Sequence, residues 1–413
     1  MTGADQGGSG ESDPARGAGR ADRGWLVVAG LFTLSAAAAA FEIAPASVTP
    51  LLMDGMSVGP TAAGWLVSVM YATAVVASVP VGVGLDRTDA RLAVGAAALA
   101  LLVAGAWSYV AATGDAYASL VAARVVGGLS YVTLWNAGAT LSGVVVDADR
   151  RATAVGIFTA SAPLGFALGQ FGGPLVAEVA GWAATFPAFA ALGAVGFALF
   201  AAGGPPRQAG VGDPPDRAAL GRVLANRAVW TVSLLGTLAY GLYLFLNSWM
   251  PTYLTETTAL TLGQSGALVA VFPAVGLVAR SGSGVLSDRA FGGRRRPVVL
   301  GAYLLVLSAT AGFLVVEGVP ALFACLLLAG FGVQLAIGLV FTYVRELVDP
   351  SVAGTAVSLV TAVALAGAFA APLLAGAAVE RTGSFRLAFV GALVLAVAGV
   401  GLATVAPEPR ESA

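Results

Sequence analysis

Twelve stretches of about 18 or more predominantly apolar residues run through this chain, near 25–52, 62–84, 92–112, 117–144, 152–177, 182–202, 229–254, 262–287, 298–316, 319–344, 352–379 and 384–406. At 1.5 Å of rise per residue, each is long enough to cross a hydrocarbon layer of ~30 Å as a helix. Only 10% of the 413 residues are charged and 58% are hydrophobic, against roughly 25% charged in an average soluble domain. The expected fold class is an all-α membrane protein with twelve transmembrane helices.

The polar segments divide the chain. Residues 1–23, "MTGADQGGSGESDPARGAGRADR", read as a disordered tail, and a cleavable secretory signal is not expected because its apolar region would lie nearer the start. Residues 203–228 are the one long polar interior segment and split the spans six and six, giving bundles over 24–202 and 229–407 and a short tail over 408–413. Within the linker, Leu220, Val223 and Leu224 share a helical face opposite Arg217. That pattern fits a short amphipathic helix on the membrane surface, or simply a helical linker.

All 21 basic residues are arginine. Placing the N-terminus in the cytoplasm puts most of them at cytoplasmic ends, and the outer loops then hold only Arg381 and Arg386. This positive-inside asymmetry predicts that both termini are cytoplasmic. The halves also share a constant register: Gly284 and Gly82, Asp288 and Asp86, Arg289 and Arg87, and Gly266 and Gly64 are each 202 residues apart. A parallel repeat of two six-span halves is an architecture of secondary transporters, with the substrate site at mid-membrane between them.

The duplicated motif sharpens this expectation. "GVGLDRTDAR" follows span two and "GVLSDRAFGGRR" follows span eight. With these loops in a twelve-span duplicated chain, the sequence resembles the major facilitator superfamily. The family's loop signature is matched by Gly82, Asp86, Arg87 and Arg91, and its second copy by Gly284, Asp288 and Arg289. The first copy departs from the pattern at Thr88-Asp89-Ala90, which lacks the usual glycine. An Asp at a helix end can accept charge-assisted hydrogen bonds from Arg or a neighbouring helix N-terminus. These residues are therefore expected to gate the inner side, or else only to hold the loops in the cytoplasm.

The resemblance implies two pseudo-symmetric six-helix bundles, the major facilitator fold, with spans one, four, seven and ten lining the path and three, six, nine and twelve facing lipid. The polar residues fall accordingly: Glu42 on span one, Arg124, Tyr131, Trp135 and Asn136 on four, Tyr240, Tyr243 and Asn247 on seven, Gln334 on ten. Arg124, Gly128, Tyr131 and Trp135 recur at helical spacing and form one stripe. On span five, Gly165, Gly169 and Gly173 repeat every four residues, a pattern for close helix packing. Glu42, Arg124 and Arg280 lie well inside spans, where a charge marks a functional candidate. Their positions in the other half hold Leu244, Leu326 and Ser78, so the duplicated fold does not itself require these charges.

With no lysine there is no P-loop, with no histidine the common general base is missing, and the lone Cys325 makes no redox pair. No enzyme activity and no cofactor are expected. The predicted function is secondary transport of a small solute by alternating access, coupled to protons through Glu42 and Arg124. Arg280, Arg124, Tyr131, Trp135, Asn136, Tyr240, Tyr243, Asn247 and Gln334 are the expected substrate contacts. Two embedded arginines against one glutamate favour an anion, and "WMPTYLTE" with "VARSGSGVLSDRAFGGRRRP" is similar to the nitrate, cyanate and organic-anion branches. Ser78 stands where nitrate porters carry a second arginine. The alternative is a proton-coupled drug or multidrug exporter, which a span-one acid with a span-four Arg resembles. The expected partners are the lipid bilayer of the plasma membrane, a small-molecule substrate and protons, with no nucleic acid, and the protein is expected to be a monomer.

Overall fold

The computed structural model describes residues 14–206 and 217–409, apart from the side chains of 14–21, 79, 86 and 217–219. Eleven helices among them are long and apolar enough to cross a membrane, and a shorter apolar helix, Arg296–Gly312, stands where span nine was expected. The twelve-span reading therefore holds, with span nine ending four residues earlier than 316. Span one is helical from Pro14 to Ser47, so the helix reaches back into the expected tail. The linker helix forms over Arg217–Ala225. Its Val223 is buried, but Leu220 and Leu224 are 43% and 44% exposed, so one side chain anchors it rather than a whole face.

Two spans are broken where the sequence pattern ran unbroken. Span five is built from Arg151–Thr159 and Ser161–Ala180, and span eight from Leu262–Ala274 and Gly276–Ala290. Pro273 sits at the second break, where the missing N–H and the pyrrolidine ring both oppose a continuous helix.

Within the first half, span one packs against spans five and six; within the second, span seven (Arg227–Thr257) packs against span eleven (Ala353–Thr382). Leu99, Val110, Val195, Val394 and Val397 are at least half exposed on spans three, six and twelve, as faces toward lipid require. The span-five glycines are packing positions: a Cβ on Gly165, Gly169 or Gly173 would collide with Ala36, Ile43 or Ser47 of span one. Because the Gly165 contact is to a backbone oxygen that cannot swing aside, Gly165→Ala should cost about 1–3 kcal/mol. Gly282→Ala, with nothing within 4 Å, should leave stability unchanged or slightly raised. Thermal melting in detergent checks both; equal melting of the two variants would contradict this packing.

The halves meet along two pseudo-equivalent seams. A Cβ on Gly64 would lie 2.5 Å from the Pro372 carbonyl oxygen, and one on Gly266 would lie 2.5 Å from that of Gln170. Both the glycines and the carbonyls are 202 residues apart, so the repeat preserves the contact itself. These seams lie at the end of the molecule where spans two and eight begin, called here the far end. At the other ends of the same spans, Gly82, Gly84, Gly282 and Gly284 have no neighbouring atom within 4 Å of a Cβ. Spans two and eight are thus tightly packed across the halves at the far end and loosely surrounded at the end that carries the chain termini.

Candidate functional site

Span one carries Pro45 inside its helix. Proline has no N–H to offer the carbonyl four residues back, which leaves the Phe41 carbonyl free. Arg124 of span four fills that vacancy: its Nη1 donates to Phe41 O at 2.7 Å, its Nη2 to Glu42 O at 2.5 Å and its Nε to Leu66 O of span two at 3.0 Å. The guanidinium carbon lies 4.6 Å from the Phe41 ring centroid, a cation–π distance. Arg124 is wholly buried. Arg124 makes no ion pair with the Glu42 carboxylate among the described residues, but the two lie within electrostatic reach of each other. The side chain is spent on backbone carbonyls of two helices, so it clamps spans one, two and four together.

The Glu42 carboxylate turns instead to span two, where the Tyr71 hydroxyl donates to Oε1. Oε2 is buried with no hydrogen-bond partner among the described residues. Glu42 itself is 1% exposed.

In the second half Arg280 is half-buried; its Nε donates to Gln334 Oε1 at 2.6 Å and its guanidinium carbon lies 5.6 Å from the Tyr243 ring centroid. Its Nη groups donate to no described residue. Gln334 is fully buried, and its Nε2 donates to the Pro273 carbonyl at 3.2 Å, inside the break of span eight. Gln334 thus links Arg280 to the break in span eight. Tyr131, Tyr240 and Tyr243 are within electrostatic reach of both Arg280 and Glu42. Tyr131 and Glu42 of the first half and Tyr240, Tyr243 and Arg280 of the second therefore lie within reach of one another. Trp135 stacks on Tyr131 at 6.4 Å and packs on Phe158 at 5.4 Å, and Asn136 beside it is half-buried.

A second proline repeats the span-one device. Pro251 frees the Asn247 carbonyl of span seven, and Gln170 of span five donates to it from the opposite half at 2.5 Å. Asn247 is buried, with Nδ2 donating to Tyr243 O at 2.9 Å. Phe166, also on span five, packs at a tilt with its ring centroid 5.2 Å from that of Tyr243 across the same boundary. Tyr71, Gln170 and Phe166 were not among the expected site residues. A proline four residues after a buried carbonyl, with a buried donor elsewhere in the chain, is the sequence signal that points to Gln170.

The duplicated loops differ in what they hold. Asp288 accepts from Arg295 Nη1 at 2.7 Å, and Arg295 also grips Glu346 at the end of span ten at 2.8 and 2.6 Å. The Glu346 hydrogen bonds raise the Arg295 guanidinium above its ordinary pKa. This cluster joins spans eight, nine and ten within one half. In the first loop, Arg91 donates to the Pro205 carbonyl at 2.6 Å, and Asp89 caps span three by accepting from Arg91 N at 2.9 Å. Arg87 and Arg289 are exposed, Gly82 and Gly284 are half-buried, and the Asp86 side chain lies outside the described residues.

Two repeated six-span bundles, sealed at one end over polar groups that both contribute, define a multi-pass membrane transporter rather than an enzyme. The chain belongs to the major facilitator superfamily, whose family model matches residues 29–311 and 283–413. It is 28% identical over 366 residues to a chloramphenicol resistance protein of Streptomyces lividans, covering 86% of this chain and 90% of that one. A nitrite extrusion protein of Bacillus subtilis is 25% identical over 329 residues, 78% of each chain. An uncharacterized MFS-type transporter of the same organism is 27% identical over 156 residues, which are 38% of this chain and 39% of that protein. In fold, the chain is similar to a bacterial homolog of the human lysosomal transporter Spinster, solved in an inward-facing, unoccupied conformation. The TM-score is 0.77 at 15% identity, over 94% of this chain and 97% of that one.

Proposed function

We propose that this protein is a proton-coupled secondary transporter of a small organic anion, working by alternating access with both termini in the cytoplasm. On that orientation the state described above is open inward. The observation that carries the anion reading is Arg280, an arginine deep in span eight whose Nη groups donate to no side chain or carbonyl among the described residues. Withdrawal of Arg124 into a backbone clamp leaves one cation, not two, to recognise the solute. Tyr243 beside it, and Trp135 stacked on Tyr131, favour an organic solute over a bare inorganic ion, since aromatic faces offer apolar area and stack on planar groups. Glu42 supplies the proton site, a carboxyl that accepts from Tyr71 and forms no direct ion pair with Arg124. The latch expected of Asp86 and Asp288 belongs to the opposite, outward-open state. The nitrite extrusion relative fits an anion. The chloramphenicol resistance relative, together with the aromatic lining, favours the second reading, export of a neutral amphipathic drug.

Proteoliposomes with and without a pH gradient, given labelled nitrite, benzoate and chloramphenicol in turn, separate these readings. Benzoate uptake driven by the gradient is expected, and Arg280→Lys should lower it at least about tenfold, because charge is kept but the planar fork is lost. Gradient-driven movement of chloramphenicol alone would overturn the anion reading in favour of drug export.

A further inference from the structure

Span two (Pro60–Arg87) begins without a side-chain cap of its own: Gly59 occupies the N-cap position in an extended conformation, φ −82 and ψ 172. The Thr61 N–H donates instead to Glu380 Oε2 at 2.9 Å, and Glu380 belongs to span eleven of the opposite half. The carboxylate rests on Gly59, where a Cβ would stand 3.0 Å from the Glu380 carboxyl carbon. In the same groove the Tyr117 hydroxyl donates to the Ala62 carbonyl at 2.9 Å.

The pseudo-equivalent seam is built differently. Span eight is capped within its own half: the Thr261 hydroxyl accepts from Gln264 N at 3.2 Å, and Thr261 N donates to Gln264 Oε1 at 3.0 Å. Glu178, 202 residues before Glu380, is exposed and makes no hydrogen bond or ion pair among the described residues. One half therefore lends a cap across the boundary, and the other keeps its cap to itself.

That difference has a thermodynamic consequence. A helix start leaves backbone donors unsatisfied and carries partial positive charge, so a carboxylate there is stabilising. A cap from the same half, such as Thr261, is present in every state of the transport cycle and favours none. A cap from the opposite half exists only while the two halves touch. We propose that Glu380 is a gating residue: by capping span two from across the boundary it stabilises the state closed at the far end, and it is released when spans two and eleven part.

The test needs no ligand. Spin labels at Asp54→Cys and Glu317→Cys, exposed in opposite halves, report far-end distances in the full-length protein in nanodiscs, in a Cys325→Ala background. Glu380→Ala should lower the ratio of closed to open populations about fivefold, the equivalent of one lost cap, while Glu178→Ala leaves it unchanged. Gly59→Ser combined with Glu380→Ala gives span two a cap of its own. The melting temperature should recover while the far end stays open. Should Glu380→Ala alone yield too little protein, this double variant carries the comparison. An unchanged closed population in Glu380→Ala, or its return in the double variant, would overturn the proposal.

Discussion

Arg124→Leu is expected to abolish accumulation of folded protein, or to lower its stability by about 3–5 kcal/mol, because three buried carbonyls lose a charged donor. The reason lies in Pro45, which leaves the Phe41 carbonyl without a helical donor; Arg124 supplies it from span four while also gripping Glu42 O and Leu66 O. A buried acceptor stripped of its partner costs roughly 1–3 kcal/mol by itself, and charge-assisted bonds are lost in addition. Arg124→Lys should rescue little, since a single ammonium cannot reproduce a planar fork that reaches carbonyls on two helices. Fluorescence-detected size-exclusion with thermal challenge is the check. A folded Arg124→Leu that melts within a degree or two of wild type would show that the clamp contributes nothing.

Much of this architecture was legible in the sequence because it rests on patterns that a one-dimensional chain records. Apolar length predicted the spans, and the offset of 202 predicted the halves. Helical spacing placed Gly165, Gly169 and Gly173 on a packing face, and span one lies against it. The convergence of Tyr131, Tyr240, Tyr243 and Arg280 followed from which spans carried polar residues. Depth along a helix was readable for Glu42 and Arg124, but the direction of a long side chain was not. Arg124 could meet a carboxylate or a carbonyl at the same depth, and the vacancy left by Pro45 decides between them. Gln334 likewise was placed by its span alone, and its two amide ends go to different partners, Oε1 to Arg280 and Nε2 to the Pro273 carbonyl at the break. The breaks in spans five and eight left no mark on hydropathy because apolar residues continue through them. Glu380 drew no attention as a residue near a span end, and only the missing cap at Gly59 gives it a role.

Glu42→Gln is expected to separate folding from coupling. Gln is nearly isosteric, its amide oxygen can still accept from Tyr71, and no arginine is left unpaired, because Arg124 holds the Glu42 carbonyl rather than its carboxylate. The variant should therefore express and melt close to wild type, in contrast to Arg124→Leu. It cannot bind and release a proton, so the energetic link between the pH gradient and the solute is cut. Exchange of solute across the membrane should continue, and net accumulation against a gradient should fall to the level seen without ΔpH. If a static role for Glu42 were correct, stability rather than coupling would be lost.

The measurement that bears most directly on proton-coupled alternating access is labelled benzoate accumulation by Glu42→Gln in proteoliposomes under an imposed ΔpH, set beside benzoate counterflow without one. The account predicts wild-type counterflow and no gradient-driven accumulation. A well-folded Glu42→Gln protein that still concentrates benzoate in response to ΔpH would contradict it.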